Sequence, residues 1–123
     1  MKRSCVAWTA AMLCGAALAA SHIVDIAWTA DGRFAHNAQI AAGIFFEVCG
    51  KLAAGDKVRW TFTTGAPVDF NIHHVGKEAV FHAKQAQVSG GGETLNIALA
   101  EDYCWMWTNK GKESIGIRVE LAR

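Results

Sequence analysis

Three histidines lie close together in one segment of the chain. His73 and His74 are adjacent, and His82 follows after a short interval. A neutral imidazole offers a ring nitrogen to transition metals near pH 7, and this ligand suits copper, zinc and nickel. The segment therefore contains a candidate metal site. Polar side chains on a solvated hairpin, without any metal, are the alternative interpretation.

The spacing predicts that a hairpin brings these histidines together. A four-residue loop, Val75–Glu78, would place His74 opposite Ala79. The same register puts His73 and His82 on one face of the hairpin as diagonal neighbours. His74 has the opposite parity and is expected to point toward the core. We therefore predict His73 and His82 as the first pair of ligands.

Two sulfur-containing residues follow in a later segment. Cys104 and Met106 share one face of a predicted strand, and three aromatic residues share the other. Thiolate, thioether and imidazole groups select copper, and a blue-copper site combines a cysteine with two histidines and a weak methionine. No histidine follows Met106, so that arrangement lacks one imidazole. We predict a copper site at His73 and His82. His74 and Met106 are its further candidate ligands.

The first residues have the layout of a secretory signal peptide. Lys2 and Arg3 precede an apolar run from about Val6 to Leu18, and small residues follow. The run is short for the roughly 20 residues of a membrane-spanning helix, and an uncleaved leader would be the chain's sole contact with a membrane. We predict residues 1–20 as a signal peptide, residues 21–123 as a single domain, and a periplasmic or secreted location.

Cleavage of this leader would leave two of the four cysteines, Cys49 and Cys104. In an oxidising compartment such a pair usually forms a disulfide. A Cys49–Cys104 bridge is therefore expected. Ligation of a metal by the Cys104 thiolate is the competing use, and the bridge would exclude it.

The charge of the remaining chain argues against nucleic acid as a partner. Removing Lys2 and Arg3 from the 12 basic residues leaves 10 against 11 acidic ones, a net charge of about −1. Motifs for a nucleophile elbow, a zinc-protease helix, a phosphate-binding loop or a dinucleotide site are absent from the sequence. We expect a protein that binds rather than an enzyme.

Beyond the leader, apolar residues repeat with a period close to two, which is typical of half-buried β-strands. Eight strands are predicted: Ile23–Trp28, Ile44–Val48, Lys57–Phe62, Val68–His73, Val80–Ala83, Leu95–Leu99, Tyr103–Trp107 and Ile115–Leu121. Turn signals separate them, including 65–67 and 90–92. The stretch 33–42 fits a helical turn or a loop. The pattern predicts an all-β, antiparallel β-sandwich, with a closed barrel as the alternative.

Four residues carry a family resemblance: Cys49, Tyr103, Cys104 and Asn109. Over about residues 44–121 the chain resembles the GOLD domain of cargo-trafficking proteins, in which an early cysteine is bridged to a late Tyr-x-x-Cys-x-x-Asn strand. The spacing departs from that pattern, because Tyr103 directly precedes Cys104 and Asn109 lies five residues beyond it. The same stretch is similar to an exported bacterial cupredoxin-like sandwich, with the FNIHH segment on the metal side. Both resemblances imply a β-sandwich fold.

Two functions follow as hypotheses. The first is an exported copper-binding module, in which replacing His73 by alanine removes most of the copper affinity. The second is a metal-free, GOLD-like module that presents a sheet face or edge to a protein partner in the cell envelope. Convergence of His73, His82 and Met106 would favour the first function, and divergence the second.

Overall fold

The computed structural model describes residues 22–123, which form an all-β domain. Its strands are β1 Ile23–Asp25, β2 Arg33–Ile40, β3 Phe45–Leu52, β4 Lys57–Val75, β5 Ala79–Asn96, β6 Glu101–Thr108 and β7 Ile115–Ala122. The all-β class is confirmed, with seven strands in place of eight. The predicted signal peptide lies outside the described residues. Within residues 22–123 there is no helix long and apolar enough to cross a membrane.

The strands form one curled sheet that folds into two facing layers. Its order is β1-β3-β6-β4-β7-β2, and β5 pairs along the other edge of β4. The second half of β4 pairs with β6 through Asp69–His74, whereas its first half pairs with β7 through Arg59–Thr64. β4 and β5 therefore cross between a first layer, with β1, β3 and β6, and a second layer, with β2 and β7. In the described part of the chain no pairing joins β1 to β2, as a closed barrel would require.

Most of these pairings are antiparallel, as predicted. The exception is β1, which runs parallel to β3 and pairs Ile23 with Glu47. The sheet is therefore mixed. β1 is also shorter than the predicted strand Ile23–Trp28.

The predicted turn at 65–67 is a bend inside β4. The ladder with β5 skips from Thr63 to Val68, so the intervening residues form an irregularity where the strand passes between layers. Pro67 has no N–H to donate to a ladder and is tolerated at such a position. The turn-forming residues redirect the strand instead of reversing it, and two predicted strands merge into one.

The glycines at 90–92 also lie inside a strand and not in the predicted turn. In β5 they are paired with Thr61–Thr63 of β4. A Cβ atom at Gly92 would stand 2.9 Å from Cγ2 of Thr61 and 3.0 Å from the carbonyl oxygen of Trp60. The glycines therefore allow the backbone of β5 to approach β4 closely.

The stretch predicted as a helical turn or loop contains strand β2, which pairs with β7 along its whole length. Phe34 and Ile40 are buried, and the ring of His36 between them stacks on Phe46 at 5.7 Å. The alternation is genuine, but the inward positions include a histidine and an alanine. Strand β2 is therefore not recognised when large apolar residues are required at every second position.

Aromatic side chains fill the space between the layers. Phe62 contacts Trp107 edge-on at 5.5 Å and Phe70 at 4.7 Å, both measured between ring centroids. Since Phe62 lies in the half of β4 paired with β7, and the other two lie in the first layer, these contacts join the layers. Each such pair contributes about 1 kcal/mol beyond the area it buries.

Asn109, just after β6, connects three parts of the chain and is fully buried. Its side-chain amide donates to the carbonyl oxygens of Ile40, at 2.9 Å, and Glu113, at 2.7 Å. Its Oδ1 accepts the N–H of Gly111 at 2.8 Å, and its own N–H donates to the carbonyl of Ile44. One side chain thus fixes the end of β2 and the loop between β6 and β7.

Candidate metal centre

The register of the hairpin between β4 and β5 decides which histidines meet. His74 pairs with Val80, so the predicted register, with His74 opposite Ala79, is wrong by one position. The ladder shifts again after the next pair and leaves His82 outside it, as in a β-bulge. The bulge directs His82 toward His74, whereas the sequence predicted that it faces His73.

His74 and His82 form a close pair at the hairpin end of the first layer. Nδ1 of His74 lies 2.8 Å from Nε2 of His82, and the rings stack with centroids 5.0 Å apart. His74 is buried, as its parity predicted, while His82 is exposed. The ring of Tyr103 packs against both imidazoles at 5.1 and 5.3 Å, and its hydroxyl donates to the carbonyl of Leu99. One ligand is thus held by the core and the other faces solvent.

Although His82 is largely exposed, partial desolvation of its ring lowers its pKa, and the neighbouring His74 and His73 lower it further. These effects favour the neutral form of the His82 imidazole. At 2.8 Å the two facing nitrogens share one proton at most, because two N–H groups would repel each other at this distance. The two imidazoles therefore either share one proton in a hydrogen bond or both direct lone pairs at a bound cation.

The distance between the two nitrogens fits one coordination geometry well. Imidazole nitrogens lie about 2.0 Å from a bound metal ion. Two such nitrogens are about 2.8 Å apart when they subtend a right angle at the metal, and about 3.3 Å apart in a tetrahedron. The 2.8 Å separation is that of a hydrogen bond, and it also equals the spacing of two adjacent ligands at a right angle, as in the square-planar sites of Cu(II) and Ni(II).

His73 belongs to a different environment, because successive residues of a strand point to opposite faces. On the outer face of the first layer its Nδ1 lies 2.7 Å from Oδ1 of Asn71. Its Nε2 lies 3.7 Å from a carboxylate oxygen of Glu47. His73 is half-buried between these partners and the ring of Phe81.

Met106 lies on the same outer face as His73, since its neighbours Trp105 and Trp107 point inward. It pairs with Glu47 on β3 and with Asn71 on β4. The four predicted ligands therefore separate into an inner pair, His74 and His82, and two outer residues. His73, His82 and Met106 therefore diverge. This divergence favours the interaction module over a copper site built from those three residues. The inner pair is a separate candidate.

The Cys49–Cys104 disulfide is confirmed and lies on the outer face next to His73 and Glu47. It joins directly opposed residues of β3 and β6, and it excludes Cys104 as a thiolate ligand in the oxidised protein. Among the His, Cys, Asp and Glu side chains of residues 22–123, the group of three whose ligand atoms converge is Glu47, His73 and Cys104.

Sequence reasoning missed Glu47. Its side chain is on the outer face, but the residue is only 9% exposed, and this burial raises the pKa of its carboxyl group, against the opposing effect of His73. The available signal in the sequence was a single acidic residue that lies between the apolar residues Phe46 and Val48 and two positions before a cysteine. That pattern also fits an ordinary solvent-facing strand position.

No protein-family model and no curated protein matches the chain. Solved structures share its fold. PliG of Salmonella Typhimurium, a periplasmic inhibitor of g-type lysozyme, has a TM-score of 0.57 at 9% identity, covering 83% of this chain and 97% of that one. The pre-peptidase C-terminal domain of a Bacillus anthracis collagenase has a TM-score of 0.56 at 12% identity, covering 80% and 95%.

A third similar structure is CorA of Methylomicrobium album BG8, a surface-associated copper-binding protein important in copper acquisition. Its TM-score is 0.52 at 9% identity, and the match covers 84% of this chain and 99% of that one. At these identities the three structures establish the fold alone, and that fold is a β-sandwich-type domain.

Proposed function

We propose that the protein is an exported, non-enzymatic β-sandwich that binds Cu(II) through His74 and His82. The observation that carries this proposal is the 2.8 Å separation between Nδ1 of His74 and Nε2 of His82. Both nitrogens belong to side chains of one hairpin that Tyr103 holds in place. Little conformational entropy is then lost when the ion binds.

Two further observations support the proposal. The structurally similar CorA is a copper-binding protein, so the same fold accommodates a copper site elsewhere. The disulfide is typical of proteins outside the reducing cytosol, which supports a periplasmic or secreted location. The remaining coordination positions would be filled by solvent on the exposed side of His82. The resemblance to cupredoxins is part of this proposal, with a ligand set that differs from the blue-copper pattern.

Copper titration of the disulfide-bonded protein tests the proposal. We expect one Cu(II) per chain, with an axial paramagnetic resonance spectrum showing hyperfine coupling to imidazole nitrogens. Outer-sphere partners of metal ligands contribute 10- to 100-fold to affinity, so His82→Ala, which removes a ligand, should weaken binding by about 100-fold or more. His73→Ala is the matched control and should bind copper like the parent. A His82→Ala protein with the parent's affinity would refute the site.

A second candidate function rests on the exposed surface at the same end of the molecule. Val75, Val80 and Phe81 are 59%, 45% and 48% exposed. β5 pairs with β4 along one edge, and in the described residues no strand covers its other edge. Exposed apolar side chains beside an open strand edge are typical of protein-binding surfaces. This arrangement supports the GOLD-like interaction module as the alternative.

The similarity to PliG provides a direct test of the second candidate. A g-type lysozyme is assayed on bacterial cell walls with and without the protein, and Phe81→Asp serves as the control variant. Inhibition by the parent that Phe81→Asp abolishes would support an interaction module of this kind. Equal lysozyme activity with and without the parent would count against it.

A further inference from the structure

A second cluster of metal-binding groups lies on the outer face of the first layer, away from the His74–His82 pair. Ligand atoms of Glu47, His73 and Cys104 all lie within 4.8 Å of one another. The sulfur of Cys49 is bonded to that of Cys104 and lies 3.8 Å from Oε1 of Glu47. One sulfur, one imidazole and one carboxylate thus lie together, and the second sulfur, that of Cys49, lies beside Cys104 and Glu47.

The imidazole in this cluster is already oriented as a metal ligand. Its Nδ1 faces the amide oxygen Oδ1 of Asn71 at 2.7 Å, an acceptor for a ring N–H, and its Nε2 faces a carboxylate oxygen of Glu47 at 3.7 Å. Metal-ligating histidines almost always donate their second ring nitrogen to an oxygen in this way. Glu47 supplies a nearly buried carboxylate, and such a group is stabilised by a nearby cation because burial disfavours its charge.

In the oxidised protein the sulfurs are unavailable, because a disulfide sulfur is not a thiolate. We propose that reduction of the Cys49–Cys104 bridge creates a zinc site from both cysteines, His73 and Glu47. Two thiolates, an imidazole and a carboxylate give four ligands of the types that bind Zn²⁺ in closed tetrahedral sites. The carboxylate favours zinc over Cu(I), which prefers sulfur.

The sheet allows both parts of this reaction. Cys49 is half-buried and borders a surface depression lined by Asp25, Lys51 and Asp102, through which an external thiolate would approach the bridge. After reduction, the ladder between β3 and β6 still holds Cys49 opposite Cys104. The two thiols therefore remain neighbours without the covalent bond.

The reductant is a dithiol. One of its thiolates attacks Sγ of Cys49, the S–S bond breaks, and Cys104 leaves as a thiolate. The second thiolate of the reductant then displaces Cys49 from the mixed disulfide, so that the dithiol becomes a disulfide and two electrons pass to the protein. Zn²⁺ binds both cysteine thiolates, and the two protons of the dithiol go to solvent.

The test compares zinc binding before and after reduction of the full chain by a water-soluble phosphine. The phosphine becomes its oxide, and water supplies the oxygen and the two thiol protons. Cys5 and Cys14 are replaced by serine in all samples. Zinc is titrated against a chromophoric chelator, and Co²⁺ reports thiolate ligation through its absorption bands. We expect one zinc per reduced chain, bound at least about 100-fold more tightly than by the oxidised chain.

Three variants separate this site from others. In the reduced chain, His73→Ala and Glu47→Gln should each weaken zinc binding by about tenfold or more, whereas His82→Ala should leave it unchanged. If His73→Ala and Glu47→Gln bound zinc as tightly as the parent, only the two thiolates would be ligands. That result would overturn the proposal. A reduced, zinc-bound chain without the native tryptophan near-ultraviolet spectrum would also overturn it. Neither result affects the copper site, which is measured on the oxidised protein.

Discussion

Replacing both Cys49 and Cys104 by alanine is expected to lower the free energy of unfolding by about 4 kcal/mol. The bridge spans a sequence separation of 55 residues. In the chain-entropy model, a crosslink of this length restricts the unfolded ensemble by that amount. For a small domain whose net stability is about 5–15 kcal/mol, this is a large fraction of the total. Urea unfolding of both proteins, followed by tryptophan fluorescence, measures the difference.

The copper affinity of the double variant provides the control. His74 is buried inside the layer and His82 contacts it from the hairpin end, whereas the disulfide lies on the outer face. We therefore expect the variant to bind Cu(II) like the parent while it unfolds at a lower urea concentration. A difference below about 1 kcal/mol would mean that the bridge constrains the unfolded chain far less than the model predicts.

Replacing Asn109 by alanine is expected to cost about 3 kcal/mol. The substitution removes two hydrogen bonds to backbone carbonyls and one from the N–H of Gly111. Each bond contributes about 1 kcal/mol, and a buried backbone group left without a partner adds to the loss. Because Ile40 lies in β2 and Glu113 precedes β7, the end of the second layer should loosen first. Chemical denaturation gives the magnitude, and hydrogen exchange of the β2 amides gives the location.

Ser114→Ala is the matched control for Asn109→Ala. Its hydroxyl also donates a hydrogen bond near the same loop, to Gln39 at 3.0 Å, but this pair is exposed. We expect a change within about 0.5 kcal/mol for this surface substitution. If Asn109→Ala were as mild as Ser114→Ala, the buried amide would not be what connects β2 to the loop.

The strand pattern was predictable because each layer has one buried and one exposed face. Trp60 and Phe62 are buried, and so are Trp105 and Trp107, at the alternating positions that the sequence shows. The disulfide was predictable from the number of cysteines that would remain once the predicted leader is removed. Both inferences depend on local composition or on counting, and neither requires knowledge of which strands pair.

The sequence-based predictions of turns and strands were wrong where one residue type serves two structural purposes. Gly92 and Pro67 are turn formers in most contexts, yet here they accompany close strand approach and a bend. The difference depends on what lies across the sheet, which local sequence does not contain. His36 hid the alternation of β2 for a related reason, since a histidine stacked on Phe46 is indistinguishable in sequence from a solvated one.

The histidine pair was beyond the reach of the sequence for a geometric reason. A shift of one residue in a ladder exchanges the two faces of a strand. The sequence correctly placed His73, His74 and His82 in one hairpin, and the inward direction of His74 followed from its parity. The bulge that turns His82 toward His74 lies between the pairs Ile72–Ala83 and His73–Phe81, and the sequence of the hairpin does not mark its position.

The proposed copper ligands lie at the tip of the hairpin, and this position has a consequence for the order of folding. His74 and His82 are separated by few residues, whereas the pair Arg33 and Ala122 joins opposite ends of the described chain. Closing a short loop takes on the order of 10–100 ns, while pairing of distant strands is slow. The tip can therefore form while the two layers are still separate. If His74 and His82 bind copper as proposed, and if their contact is formed in the transition state for the slow pairing of β2 with β7, copper is expected to increase the rate of refolding.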